Sequence, residues 1–202
     1  WIIPALEASL SGYANTTIVN KDMLQIAPPE IISAPNYLVV ANIPYYITSA
    51  IIRHLLENDP RPNRLVLTIQ KEVAERICTP EGKKMSLLAL SIQVYGKPEI
   101  VAKIPAGAFY PPPKVDSAVI RISLYDEPRI PTALLDDFFR LAKAGFSQKR
   151  KNLRNALSAG LHLPKEECES LLHNAEIDPH RRAETLNLKE WGELTEKWAK
   201  KK

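Results

Sequence analysis

Apolar positions along the chain follow one rhythm as far as Leu124 and another beyond Pro131. Ile2, Ile3, Leu6 and Leu10 recur at i, i+3/i+4 and predict a helix over Trp1–Ser11, with Gly12 as its stop. Thr16–Val19 predicts a short strand. A connection through Pro28, Pro29 and Pro35 then leads to a short buried strand at Tyr37–Ala41. Thr48 is placed to cap a helix whose Ile51, Ile52, Leu55 and Leu56 share one face, ending before Asp59-Pro60. Arg64–Ile69 reads as another buried strand, Glu72–Ile77 and Ser86–Tyr95 as helices, and Glu99–Ile104 and Ser117–Leu124 as strands. Strands interleaved with helices indicate an α/β sheet. Beyond the polar stretch Tyr125–Pro131 the pattern is helical only, over Thr132–Ala144, Lys149–Leu157, Lys165–Asn174 and Lys189–Lys200. The expected organisation is a sheet domain at 1–125, a linker at 126–131 and an all-α domain at 132–202.

The strand at Tyr37–Ala41 runs into Asn42-Ile43-Pro44-Tyr45, where Pro44 ends any ladder because it has no N–H to donate. Ligands of open α/β sheets gather at the carboxyl ends of strands, so Asn42 stands where a ligand would lie. The exocyclic amine of a base is a poor nucleophile, its lone pair being delocalised into the ring. Two acceptors, the Asn42 side-chain oxygen and the Pro44 carbonyl, would hold its two hydrogens and favour the pyramidal form that attacks. Tyr45 would stack on the base and stabilise positive charge developing on nitrogen. The plainer alternative is a strand-to-helix turn, since Asn-x-Pro is common turn chemistry.

Two further stretches change that picture: Phe109-Tyr110-Pro111-Pro112-Pro113-Lys114-Val115-Asp116-Ser117, and Phe146-Ser147-Gln148-Lys149-Arg150-Lys151-Asn152-Leu153-Arg154. With Asn42–Tyr45, in this order, they resemble the ribosomal RNA adenine N6-dimethyltransferases, over nearly the whole chain from Trp1 to Trp191. The resemblance implies a Rossmann-like methyltransferase sheet, incomplete at the N-terminus, with a small C-terminal all-α domain. It also implies S-adenosylmethionine as methyl donor and small-subunit ribosomal RNA, or a precursor of that subunit, as partner. Asn42, Pro44, Tyr45 and Phe109 become the catalytic set, with Phe109 facing Tyr45 across the target adenine. Asp22, Met23 and Asn42 become cofactor contacts. Without the resemblance, Asp22 is equally a turn residue or helix cap, and Phe109 a hydrophobic anchor for its loop.

The basic residues Arg140, Lys143, Lys149, Arg150, Lys151 and Arg154 have no acidic residue among them, so phosphate binding is favoured over a solvated surface. Lys114 is either a phosphate contact or a solvated lysine. The run His180-Arg181-Arg182-Ala183-Glu184-Thr185-Leu186 again resembles the small-subunit enzymes. The rival readings are a large-subunit methyltransferase of the macrolide-resistance type, which shares Asn-Ile-Pro-Tyr, and a non-catalytic RNA-binding assembly or transcription factor.

Composition adds limits. The 202 residues are 45% hydrophobic and 25% charged, which describes a globular chain able to bury a core. A net charge of +4 is only mildly suggestive of nucleic acid. Cys78 and Cys168 match no metal spacing, so no metal is expected, and they fit a reducing, cytoplasmic setting. No run of 18 apolar residues is present, so no membrane span is expected.

The resemblance also exposes a departure. The family places a glycine-rich loop after its first strand and a ribose-binding acid after its second, and neither is found here; Trp1 matches the helix that follows that acid. In the usual order 3-2-1-4-5-7-6, strands 1 and 2 separate the strand at Thr16–Val19 from that at Tyr37–Ala41. The intact protein is expected to be a monomer. Residues 1–202 alone are expected to be inactive, to bind S-adenosylmethionine poorly and to self-associate through Tyr37–Ala41, with Trp1–Val19 displaced, poorly ordered or paired with another molecule.

Overall fold

The computed structural model describes residues 2–32, 34 and 36–201. Trp1, Ser33, Pro35 and Lys202 lie outside the described residues, so the predicted helix start, part of the proline connection and the last residue are not addressed.

Eight helices and four strands are described: α1 (Ile2–Leu10), β1 (Leu38–Asn42), α2 (Thr48–Glu57), β2 (Arg64–Gln70), α3 (Lys71–Ile77), α4 (Leu87–Gln93), β3 (Gly96–Ile104), β4 (Ser117–Leu124), α5 (Leu135–Phe146), α6 (Leu153–Leu161), α7 (Lys165–Asn174) and α8 (Leu188–Ala199). The sheet order is β1-β2-β4-β3, which is the 4-5-7-6 half of the expected order. β1 and β2 are parallel, while β4 runs antiparallel to both β2 and β3. The carboxyl ends of β1, β2 and β3 and the start of β4 therefore gather at one end of the sheet. That end carries Asn42–Tyr45, Lys71 and the loop from Pro105 to Asp116.

One face of the sheet is covered. Leu65, Leu67 and Ile69 of β2 pair in register with Ile122, Ile120 and Ala118 of β4, and all six are fully buried. They share a core with Ile51, Ile52, Leu55 and Leu56 of α2 and Ala89, Leu90 and Ile92 of α4. The other face carries Leu38, Val40 and Asn42 of β1 beside Arg64, Val66 and Thr68 of β2. Here the buried-strand expectation for Tyr37–Ala41 is corrected: Leu38 is 62% and Val40 78% exposed, because they lie on the uncovered face of an edge strand.

Other expectations also change. Thr16–Val19 forms no strand; Thr16 bonds back to the Tyr13 carbonyl through both its N–H and its hydroxyl. A strand exists through its ladder, and no described strand lies alongside it. α1 is a regular helix, yet none of its side chains is buried. Thr48 does not cap α2 as an acceptor; its hydroxyl donates to the Tyr45 carbonyl (3.1 Å). The helix expected from Lys149 begins only at Leu153, where the Asn152 side chain accepts from the Asn155 N–H (3.0 Å) and caps it. Lys149, Arg150 and Lys151 consequently lie in a loop.

α5 to α8 pack around Phe138, Leu141, Leu157 and Trp191, all fully buried. The Phe146 ring stacks on Trp191 (centroids 5.9 Å apart). At Gly160 a Cβ would stand 2.6 Å from the Ala144 Cα, so glycine lets α5 and α6 approach backbone to backbone. The helices are joined to the sheet by contacts on both sides. Tyr95 stacks on Phe139, the Met85 N–H donates to the Glu184 carbonyl (2.8 Å), and the Arg129 N–H donates to the Val94 carbonyl (2.9 Å). Within the stretch 126–131, Ile130 is buried.

Candidate adenine-binding site

Asn42 is the last residue of β1, level with Thr68 of β2, and is exposed at the strand end. Pro44 and Tyr45 follow, and a 3-10 turn over Tyr45–Ile47 leads into α2. The Pro44 carbonyl accepts from the Ile47 N–H (3.2 Å), which leaves its second lone pair for another donor. Thr48 holds the next carbonyl, that of Tyr45. The plain-turn reading and the amine-gripping reading are thus compatible, since the turn aims the acceptors.

From the far side comes the loop after β3. Phe109, Tyr110, Pro111 and Pro113 line one cavity of about 270 Å³ together with Asn42, Ile43, Pro44 and Tyr45. The structure therefore brings all four expected catalytic residues together. Phe109 and Tyr45 are half-buried, whereas Tyr110 is fully exposed at the rim.

Asp22 Oδ1 accepts from the Leu24 N–H (3.0 Å) and caps a 3-10 turn over Met23–Gln25, which packs against α2. The other carboxylate oxygen takes no part in the cap, and Met23 is half-buried beside it. A carboxylate acceptor next to an apolar side chain fits the adenine end of S-adenosylmethionine, whose exocyclic amine donates.

The expected RNA-binding residues fall into separate places. Arg140 and Lys143 line a wider groove of about 610 Å³ between α2 and α5, shared with Arg53, Arg61, Glu57 and Asp59. The Arg140 guanidinium also lies 5.6 Å from the Trp198 ring centroid. Lys149, Arg150 and Lys151 are exposed on the loop before α6. Arg154 is bound to Glu169 (2.8 Å) and partly buried. Lys114 lines a third cavity with Lys71, Glu72, Glu75 and Asp116.

Sequence reasoning passed over Lys83, Lys84 and Arg182. The Leu153 N–H donates to the Arg181 carbonyl (2.7 Å) and the Met85 N–H to that of Glu184, so the three loops that carry Lys83–Lys84, Arg181–Arg182 and Lys149–Lys151 adjoin one another. The run of Arg181 and Arg182 was the available signal. The distant Lys83-Lys84 turn gave none. Cys78 is half-buried, and burial pushes its thiol up to about 11, which makes it a packing residue rather than a nucleophile.

The family model for ribosomal RNA adenine dimethylase matches residues 2–200. The chain belongs to that family. Ribosomal RNA small subunit methyltransferase A of Dehalococcoides mccartyi is 46% identical over 200 residues, covering 98% of this chain and 68% of that protein. The protein of the same name from Alkaliphilus oremlandii is 39% identical over 206 residues, covering 99% and 72%. Among solved structures, a dimethyladenosine transferase from Plasmodium falciparum superposes with a TM-score of 0.79 at 25% identity, over 98% of this chain and 77% of that one. The 23S rRNA methyltransferase ErmE gives a TM-score of 0.71 at 28% identity, over 97% and 77%. The family is one of methyltransferases, and the fold is theirs.

Proposed function

We propose that the intact protein transfers methyl groups from S-adenosylmethionine to N6 of adenines in small-subunit ribosomal RNA, completing two additions per base. The observation that carries the reading is the cavity in which Asn42, Pro44 and Tyr45 meet Phe109. S-adenosylmethionine supplies an electrophilic methyl on its sulfonium. Asp22 and Met23 would hold its adenine end, and Asn42 would border both donor and target. The Asn42 side-chain oxygen and the Pro44 carbonyl accept the two N6 hydrogens, turning the nitrogen lone pair outward. Tyr45 and Phe109 sandwich the base and stabilise the charge that develops on N6. Once methylated, N6 would carry positive charge and an acidic proton, which would pass to water without a strong base. The adenine reaches the slot unpaired or flipped.

Residues 1–125 form the catalytic part, 126–131 the connection and 132–202 the RNA-docking part, through Arg140, Lys143, Lys149, Arg150, Lys151, Arg154 and, from the proline loop, Lys114. The substrate is a small-subunit precursor, and the intact protein acts on it as a monomer in the cytoplasm. No helix among the described residues is long and apolar enough to cross a membrane. The relatives of 46% and 39% identity that bear the name ribosomal RNA small subunit methyltransferase A support the choice of subunit.

Asn42→Ala is expected to slow methyl transfer about 100-fold, the scale of one lost preorganised polar contact, while RNA affinity stays unchanged. The assay compares small-subunit with large-subunit RNA as acceptor. Transfer within a few-fold of wild type would remove Asn42 from the chemistry, and preference for large-subunit RNA would reassign the substrate.

A further inference from the structure

Two consecutive residues where the proline loop enters β4 bond to Tyr45 and to the neck of the loop that carries Phe109. Ser117 is 0% exposed and sits in register between Gln70 of β2 and Ile104 of β3, so its position is fixed by two ladders. Its hydroxyl lies 2.5 Å from the Tyr45 phenol oxygen. Asp116, one residue earlier, closes the loop that carries Phe109. Its Oδ1 accepts from the Ala106 N–H (3.1 Å) at the loop's start. Its carbonyl accepts from the Lys71 N–H (3.0 Å), tying the same neck to α3. A ring that only stacks needs its face and not a hydroxyl. The Tyr45 hydroxyl is turned inward onto a buried strand residue, which makes it an anchor.

We propose that Asp116 and Ser117 are a positioning pair: Ser117 sets the tilt of Tyr45, Asp116 sets the height of Phe109, and their adjacency fixes the gap between the rings. The slot is then open to a flat base before binding, and no side chain has to be ordered when the base arrives. This rests on the reading that the cavity receives the target adenine.

The test, on the intact protein, measures single-turnover methyl transfer to small-subunit RNA alongside RNA and S-adenosylmethionine affinities. Ser117→Ala and Tyr45→Phe are each expected to slow transfer about 3–10-fold, the worth of one net hydrogen bond, with both affinities unchanged. The double variant is expected to be no slower than either single one, because both remove the same bond. Asp116→Asn keeps the acceptor for Ala106 and is expected to retain the rate, whereas Asp116→Ala loses it; a loss in both would mean the carboxylate charge matters instead of the bond. Multiplying losses in the double variant, or wild-type rates for Ser117→Ala and Tyr45→Phe, would overturn the pair. Tyr45→Ala and Phe109→Ala separate the two claims. If they abolish transfer while Ser117→Ala does not, only the positioning pair fails; if they too are harmless, the adenine slot itself is wrong.

Discussion

Glu190 shows how one side chain serves a helix and the loop before it. Its carboxylate accepts from the Asn187 N–H (2.8 Å) while the Asn187 side chain accepts from the Glu190 N–H (2.9 Å), a capping box at the start of α8. The Arg181 guanidinium bonds to both Glu190 oxygens. Burial raises the carboxyl, but the Arg181 bonds, the Asn187 N–H and the Arg181 charge outweigh it, and the pKa falls below the ordinary carboxylate value. A carboxyl with a depressed folded pKa contributes stability that is complete above its unfolded value. That contribution is lost as pH falls through the folded one. Glu190→Gln is therefore expected to lower stability at neutral pH and to flatten its decline in acid. Urea unfolding between about pH 7 and pH 3 measures this, and parallel pH profiles for the two proteins would count against it.

The loop before α6 illustrates what an element boundary does to a function. Lys149, Arg150 and Lys151 precede the helix instead of lying along it, and they are exposed beside the N-terminal end of α6. Cations near that end oppose the helix dipole, whereas an anion placed there is favoured by both. Replacing the three with alanine is expected to weaken RNA binding and to reduce the slope of log K against log salt by about 0.7–0.9 per lost phosphate contact. Affinity for S-adenosylmethionine is expected to stay the same. Salt titrations with identical slopes for variant and wild type would rule out phosphate contact by this loop. The same measurement on Lys83→Ala/Lys84→Ala asks whether the neighbouring turn belongs to the same surface.

Across the fold, the most exposed apolar strand is β1. Leu38 and Val40 face solvent on an edge strand with no described neighbour beyond it, a combination that invites pairing with another chain. The 202-residue chain studied by sedimentation is expected to self-associate with rising concentration. Val40→Lys is expected to suppress this by placing a charge on the open face. A monomer at all concentrations, with or without the lysine, would show that this edge is not adhesive.

Much of the protein was legible in local order. The three motif blocks, the change from mixed to helical pattern after Leu124 and the span Lys165–Asn174 of α7 all follow from residue type and spacing, which act over a few neighbours. The four expected catalytic residues also converge, because a strand end and a proline loop are local features that the sheet then superimposes. Pairing and burial are different, since they depend on what lies alongside. Thr16–Val19 has strand-forming residues and no ladder, and Tyr37–Ala41 packs Val39 and Ala41 on the core but turns Leu38 and Val40 to an open face. Ser117 reads from sequence as one alternating position among eight, and its bond to Tyr45 exists only because β4 lies next to β2 in the sheet. Composition and periodicity thus determine which elements form and what chemistry they carry. Sheet order and packing decide which side chains meet, because contacts between residues distant in the chain leave no trace in local spacing.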